Sequence, residues 1–157
     1  MSSETRGESF ILFELAGATY ALRSDHIQQL EMIGAVTPVP NAPPYVDGVV
    51  SVRGQVIPAL NLRARFGFAR KAADMRSRLV VVRADGRSIG LVVDSAREFA
   101  SISADMIQPP PAGVAGLSGN YLEGTAQLGE RLVLLLDVAQ LIEAPETAEI
   151  HTASADV

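Results

Sequence analysis

Ser24, Asp25 and His26 stand side by side in a chain of 157 residues that has two histidines and no cysteine. A serine, an acid and a histidine are the residue types of nucleophilic acyl transfer. That machinery, however, is assembled from separated elements, and chain neighbours do not supply its geometry. Ser24 reads instead as the cap of one helical turn, with Asp25 placed favourably near the turn's positive end. The second histidine, His151, lies in PETAEIHTASADV, a terminal stretch whose composition predicts disorder. Without cysteine there is no thiolate, disulfide or zinc–thiolate chemistry. The carboxylates lack the spacing of a calcium loop. GVAGLSGN at 113–120 has glycines but neither the preceding strand nor the following GK[ST] of a phosphate loop. Catalytic residues, metal and cofactor are all expected to be absent.

The charge balance narrows the partners. A net charge of −5 argues against nucleic acid, which is usually met by a basic face. The basic cluster Arg63, Arg65, Arg70, Lys71, Arg76 and Arg78 reads as a solvated helix end plus linker rather than a phosphate-binding patch. No run approaches the roughly 18 apolar residues that span a bilayer, and MSSETRGES is too polar for a signal peptide. Direct membrane insertion is not expected, and a cytoplasmic location is.

The elements that carry these residues are short. SFILFEL (9–15), TYALR (19–23), HIQQLEMI (26–33), VVSVR (49–53) and QVIPALNL (55–62) are followed by RLVVVR (78–83), RSIGLVVD (87–94), AREFASI (96–102), LEGTAQL (122–128) and RLVLLLD (131–137). Ten such runs, divided by Gly, Pro and Asp-Gly, predict an all-β fold. FILFEL and RLVVVR are apolar on both faces, as strands between a barrel interior and a second apolar layer would be. TYALR and HIQQLEMI alternate with polar residues and are expected to meet water. Asn61 and Asp137 are positioned to cap two short helices, Asp137 with Gln140 as a capping box. Asp85-Gly86 predicts a type I′ hairpin turn and Gly129-Glu130 a type II′ turn. Pro58, lacking an N–H, is expected at a sheet edge or bulge.

The pattern also repeats. A shift of 69 lays Phe10 on Leu79, Gly17 on Gly86, Ile27 on Ala96 and Ile33 on Ile102. A shift of 76 then lays Gly48 on Gly124, Ile57 on Val133 and cap Asn61 on cap Asp137. Two copies of a five-stranded unit follow, each too small to be confidently stable alone and so expected to share one core.

Binding candidates come from exposed apolar residues and one arginine. In SDHIQQL, Ile27 and Leu30 are three apart, so a helical turn would present them together, for packing or for contact. Arg53, beside Gly54 at a hairpin tip, is either solvated, pinned to a neighbouring strand, or turned toward an acidic partner.

GVVSVRGQVIPALNLRARFG (48–67) resembles the CheW family of chemotaxis coupling proteins, close to its Gly-Val-x-x-x-Arg-Gly-x-x-x-Pro-x-x-(Asp/Asn)-Leu-Arg pattern. The resemblance continues through SIGLVVDSAREF, ISADMIQPPP and YLEGTAQLGERLVLLLDVAQLI, covering about residues 9–143 in order. It implies two five-stranded SH3-like barrels sharing a hydrophobic core, with short helical turns. It also implies a non-enzymatic adaptor that binds the regulatory domain of a CheA-type histidine kinase and the cytoplasmic tip of chemoreceptors. By position, the receptor-facing residues are Ile27, Gln29, Leu30, Arg53, Gly90, Ala96 and Phe99. The kinase-facing residues are Arg53, Gly54, Gln55 and Val56, joined by Gln108 in the loop 108–113. Where family members often carry a glutamate able to pair with the hairpin arginine, this chain has Gln29. Arg53 then bonds neutrally to Gln29 or turns to Glu31 on the same strand face.

The expected organisation is a disordered 1–8, a CheW-like domain over 9–143 with repeat units 9–67 and 78–143 that partly share strands, and a disordered 144–157. The chain reads as complete and as a monomer in isolation. Alternatives are an adaptor of a non-flagellar array, serving surface motility or development, a module of a larger kinase or receiver-fused coupling protein, or a hydrolase in which Ser24 and His26 converge in a pocket.

Overall fold

The computed structural model describes residues 7–110 and 121–143. The first six residues, the glycine-bearing loop 113–120 with Pro111, and the tail with His151 lie outside the described residues. The first half of the chain forms β1 (Glu8–Leu15), β2 (Ala18–Arg23), β3 (Ile27–Met32), β4 (Val46–Val52), β5 (Gln55–Asn61) and the helical turn α1 (Leu62–Arg65). The second forms β6 (Arg78–Ala84), β7 (Arg87–Val93), β8 (Ser95–Ile102), β9 (Ile107–Gln108), β10 (Leu122–Leu128), β11 (Arg131–Leu136) and α2 (Val138–Glu143). The fold is all-β, and each of the ten expected strands is present. β9 is additional: two residues are too few to leave an alternation in the sequence.

The strands form two sheets, ordered β8-β1-β2-β11-β10-β9 and β3-β6-β7-β5-β4. Each sheet therefore mixes the halves. The hairpin β1–β2 lies among strands of the second half, and its repeat, β6–β7, lies among strands of the first. Equivalent pairings match: β1 with β8 and β6 with β3 are antiparallel, while β2 with β11 and β7 with β5 are parallel. The repeat read from the sequence is thus a repeat of pairings, with the first hairpins exchanged.

Packing follows the strand period of two. Phe10 and Leu12 join Ala21, Ile102, Val133 and Leu135 inside the first sheet's barrel. Leu79 and Val81 join Val50, Val52, Ile57 and Ala59 inside the second. The intervening residues, Ile11, Phe13, Val80 and Val82, turn the other way into a larger cluster fed by both sheets. This shared layer is why FILFEL and RLVVVR are apolar on both faces. TYALR departs from expectation. Tyr20, Ala21 and Leu22 are all buried, because β2 runs between β1 and β11 with layers on either side.

Local chemistry sets the turns. Asp85 and Gly86 both have positive φ (53° and 76°), as type I′ requires, and Gly129 is at 63°, in keeping with the first position of type II′. Gly48 (φ 144°) passes so close to the Thr37 carbonyl that a Cβ would lie 2.1 Å from its oxygen. Its repeat mate Gly124 likewise admits the Gln108 carbonyl. Both glycines let a short crossing segment pair at the outer edge. Pro58 is not at an edge, since β5 lies between β7 and β4. Its neighbour on β4, Val49, directs its N–H and carbonyl to Thr37, so the nitrogen of Pro58 faces away from β4. Pairing with β7 begins only one residue later, at Ala59.

Asn61 caps α1 as expected, its side chain accepting from Ala64 N at 3.0 Å while its amide donates to Asp47 at 3.1 Å. Asp137 accepts from Gln140 N at 3.2 Å. Ser24 is not a cap. It lies within the 3-10 turn Ser24–His26, whose N-cap is Arg23, and its hydroxyl donates to Ser9 Oγ. Asn61→Ala is expected to lose about 1–2 kcal/mol, the range for a cap with a second buried bond. The urea midpoint measures it, and an unchanged midpoint would show that the cap does not hold α1.

Candidate partner-binding surface

Arg53 and Gly54 form the two-residue turn between β4 and β5 with φ of 49° and 82°, a type I′ turn. Only its tight geometry puts an arginine in the left-handed region, where side chains other than Asn, Asp and Gly are uncommon. The Arg53 side chain is 76% exposed, and its Nε donates to Glu31 Oε2 at 3.4 Å. Of the two partners open to it from the sequence, Arg53 takes Glu31. The Gln29 Oε1 atom is buried with no hydrogen-bond partner among the described residues.

β3 carries Ile27, Gln29 and Leu30, and the way it presents them differs from expectation. The helical turn ends at His26, so Ile27 and Leu30 belong to a strand. They still share a face, because the register slips between Ile27 and Gln29. Ile27 opposes Val82 and Leu30 opposes Val80, two residues of one β6 face, while Gln29 and Glu31 oppose Val81 and Leu79 on the other. Ile27 packs against the shared core, and Leu30 is partly exposed.

β8 repeats this device. Its register against β1 slips between Ala96 and Glu98, and Ala96 and Phe99 then oppose Phe13 and Ile11, again on one face. Ala96 is buried in the shared core, whereas Phe99 is 64% exposed. Gly90 is buried too, and a Cβ there would meet Leu79 at 2.7 Å. Gly90 and Ala96 therefore offer a partner no surface, and any part they play is through the neighbours they admit. The exposed apolar contacts on these strands are Leu30, Met32 and Phe99.

At the hairpin, Gly54, Gln55 and Val56 are all exposed, Val56 by 67%. Gln108 is exposed as well but lies on β9, at the far edge of the other sheet. There it lines a cleft of about 350 Å³ with Met106, Thr125 and Leu132. The residues expected from the resemblance to face a kinase are thus divided between two sheets. Leu132, exposed and absent from the sequence candidates, is the repeat mate of Val56 under the shift of 76. That shift was the signal that would have found it.

The basic cluster is committed internally. Arg63 makes a bidentate pair with Asp94 (2.8 Å for each bond), and Asp94 also accepts from Ala16 N at 2.9 Å. The Arg63 hydrogen bond holds the Asp94 carboxyl below its usual value against the opposing effect of burial, and the same bond raises Arg63. Arg70 binds Asp47 and the Pro44 carbonyl, Lys71 pairs with Asp74, and Arg76 with Glu14. Arg65 is buried between the rings of Tyr45 and Tyr121, 4.8 Å from each centroid, and donates to the Tyr121 hydroxyl. Burial lowers its pKa. Ser24 and His26 do not line the cleft of about 560 Å³ between the connecting segment 66–77, α1 and β7. Among the described residues no group of three His, Cys, Asp or Glu is placed to hold a metal ion, and no helix is long and apolar enough to cross a membrane.

Comparison with known proteins agrees with this geometry. Residues 9–146 match the model of the CheW-like domain. A chemotaxis protein CheW of Klebsiella aerogenes is 30% identical over 94% of this chain and 89% of its own length. One from Helicobacter pylori is 30% identical over 85% of this chain and 81% of its own. The crystal structure of the scaffolding protein TtCheW from Thermoanaerobacter tengcongensis superposes with a TM-score of 0.81 at 26% identity, covering 89% of this chain and 95% of that one.

Proposed function

The chain belongs to the CheW-like family of chemotaxis adaptor proteins, and from that premise we propose that it joins the regulatory domain of a CheA-type histidine kinase to the cytoplasmic tips of chemoreceptors. The observation that carries this reading is the presence of exposed apolar residues on both sheets, Phe99 on one and Val56 on the other. Leu30 and Phe99 stand at repeat-related positions of β3 and β8, flanking the shared core. Val56 stands at the hairpin tip beside Arg53. An adaptor needs two faces that are occupied at once, and a receptor tip, being a helical bundle, suits apolar anchors seated against a strand-built surface. The protein acts as a monomer until its partners assemble it. It is a scaffold and performs no reaction.

The test is titration calorimetry of the protein against the kinase regulatory domain from the same organism, with a receptor-tip fragment as second titrant. Phe99→Ala is expected to weaken receptor binding about tenfold or more, as for an exposed aromatic anchor, and to leave kinase binding unchanged. Val56→Asp is expected to do the reverse. Both positions are exposed, so thermal midpoints should stay within a few degrees of the parent. Failure of the folded parent protein to bind either partner would discard the proposal.

A further inference from the structure

β3 and β4 are the two outer strands of the five-stranded sheet and do not pair with each other. Among the described residues, the side-chain bond that joins the β4–β5 tip to β3 runs from Arg53 to Glu31. It starts from a backbone fixed in the left-handed region and ends on a carboxylate that is 30% exposed. Glu31 and Gln29 lie on one face of β3, about 7 Å apart along the strand. Arg53 takes the carboxylate, and the side-chain amide oxygen of Gln29 is left buried without a donor among the described residues.

We infer that Glu31 is the positioning residue for Arg53: its carboxylate holds the hairpin tip across the seam of the barrel, in the pose that a partner meets. This rests on the adaptor reading and deepens it. A tip held in advance loses less conformational freedom on docking. Glu31 touches no partner in this scheme and acts through Arg53 alone. What the latch needs is therefore one carboxylate on that strand face, at 31 or at 29, and not a particular residue at 31.

Glu31→Gln and the double variant Gln29→Glu/Glu31→Gln separate the roles. In the free protein, the Arg53 Nε–H signal in a nitrogen-15 NMR spectrum should exchange slowly with solvent. It should speed up in Glu31→Gln and slow again in the double variant. Binding to the kinase domain and the receptor-tip fragment, measured in parallel, should fall up to about fivefold in the single variant, the ceiling for an exposed pair. It should return to within about twofold in the double variant. Unchanged exchange in Glu31→Gln would overturn the latch. Loss of binding that the double variant does not restore would overturn the positioning role and make Glu31 a direct contact. If the parent protein binds neither partner, the adaptor reading fails, and the exchange measurement still decides the latch.

Discussion

Arg65→Ala is expected to lower the unfolding free energy by about 3 kcal/mol, the largest effect of any single residue considered. Its guanidinium lies between two tyrosine rings inside the shared core, where desolvated cation–π contacts reach about 2 kcal/mol each. Truncation removes both contacts, leaves a cavity, and takes the donor from the buried Tyr121 hydroxyl. Against this stands the cost of burying a cation, visible in the downward shift of its pKa, which the variant no longer carries. Arg65→Met keeps most of the volume and sheds the same desolvation cost, so its loss is expected to be about 1 kcal/mol. Urea unfolding of the three proteins checks the pair. Equal losses for methionine and alanine would place the effect in the charge instead of the packing, and a loss below about 1 kcal/mol for alanine would refute the account.

Asp94→Ala is the second large effect, about 2–3 kcal/mol at neutral pH, between the values for exposed and fully buried pairs. Asp94 follows β7, accepts both Arg63 bonds from α1, and takes the Ala16 N–H from the β1–β2 turn of the other sheet. It therefore ties the two sheets together. Its folded pKa lies below the unfolded value. The contribution is therefore complete above about pH 3.9, the ordinary aspartate value, and is lost as pH falls through the lower folded value. The stability gap between parent and variant should be constant near neutrality and shrink in acid. A gap that persists in acid, below the folded value, would assign the loss to packing, and no gap at pH 7 would remove Asp94 as a strut.

Much of this molecule was legible before its fold was known, for reasons that are local. Alternation in FILFEL and RLVVVR marked strands with two apolar sides, Asp85-Gly86 marked a turn that needs two positive φ values, and Asn61 marked a helix start. What escaped was decided by partners distant in sequence. The repeat gave the pairings but not which half each hairpin joins, since either choice satisfies the same residues. The register slip beside Gln29 depends on β6, and without it the shared face of Ile27 and Leu30 was credited to a helical turn. Ser24 resembled a cap, yet its hydroxyl found Ser9 on β1. Arg65 read as one more solvated cation. The shift of 76 that pairs Tyr45 with Tyr121 and Arg65 with Leu141 was the clue that one half had placed a charge where the other kept a leucine.

The exchanged hairpins also bear on ancestry. A chain of half this length would complete its barrel by lending β1–β2 to a second copy and borrowing the same hairpin in return, a strand-swapped homodimer. Fusion through the connector between α1 and β6 turns that dimer into one polypeptide and makes the partner permanent. Once fused, the copies are free to diverge. Arg53 faces Gly129 across the repeat, Leu30 faces Phe99, and Arg65 faces Leu141. A symmetric dimer offers the same surface twice, whereas this chain keeps the symmetric frame and presents two unlike surfaces.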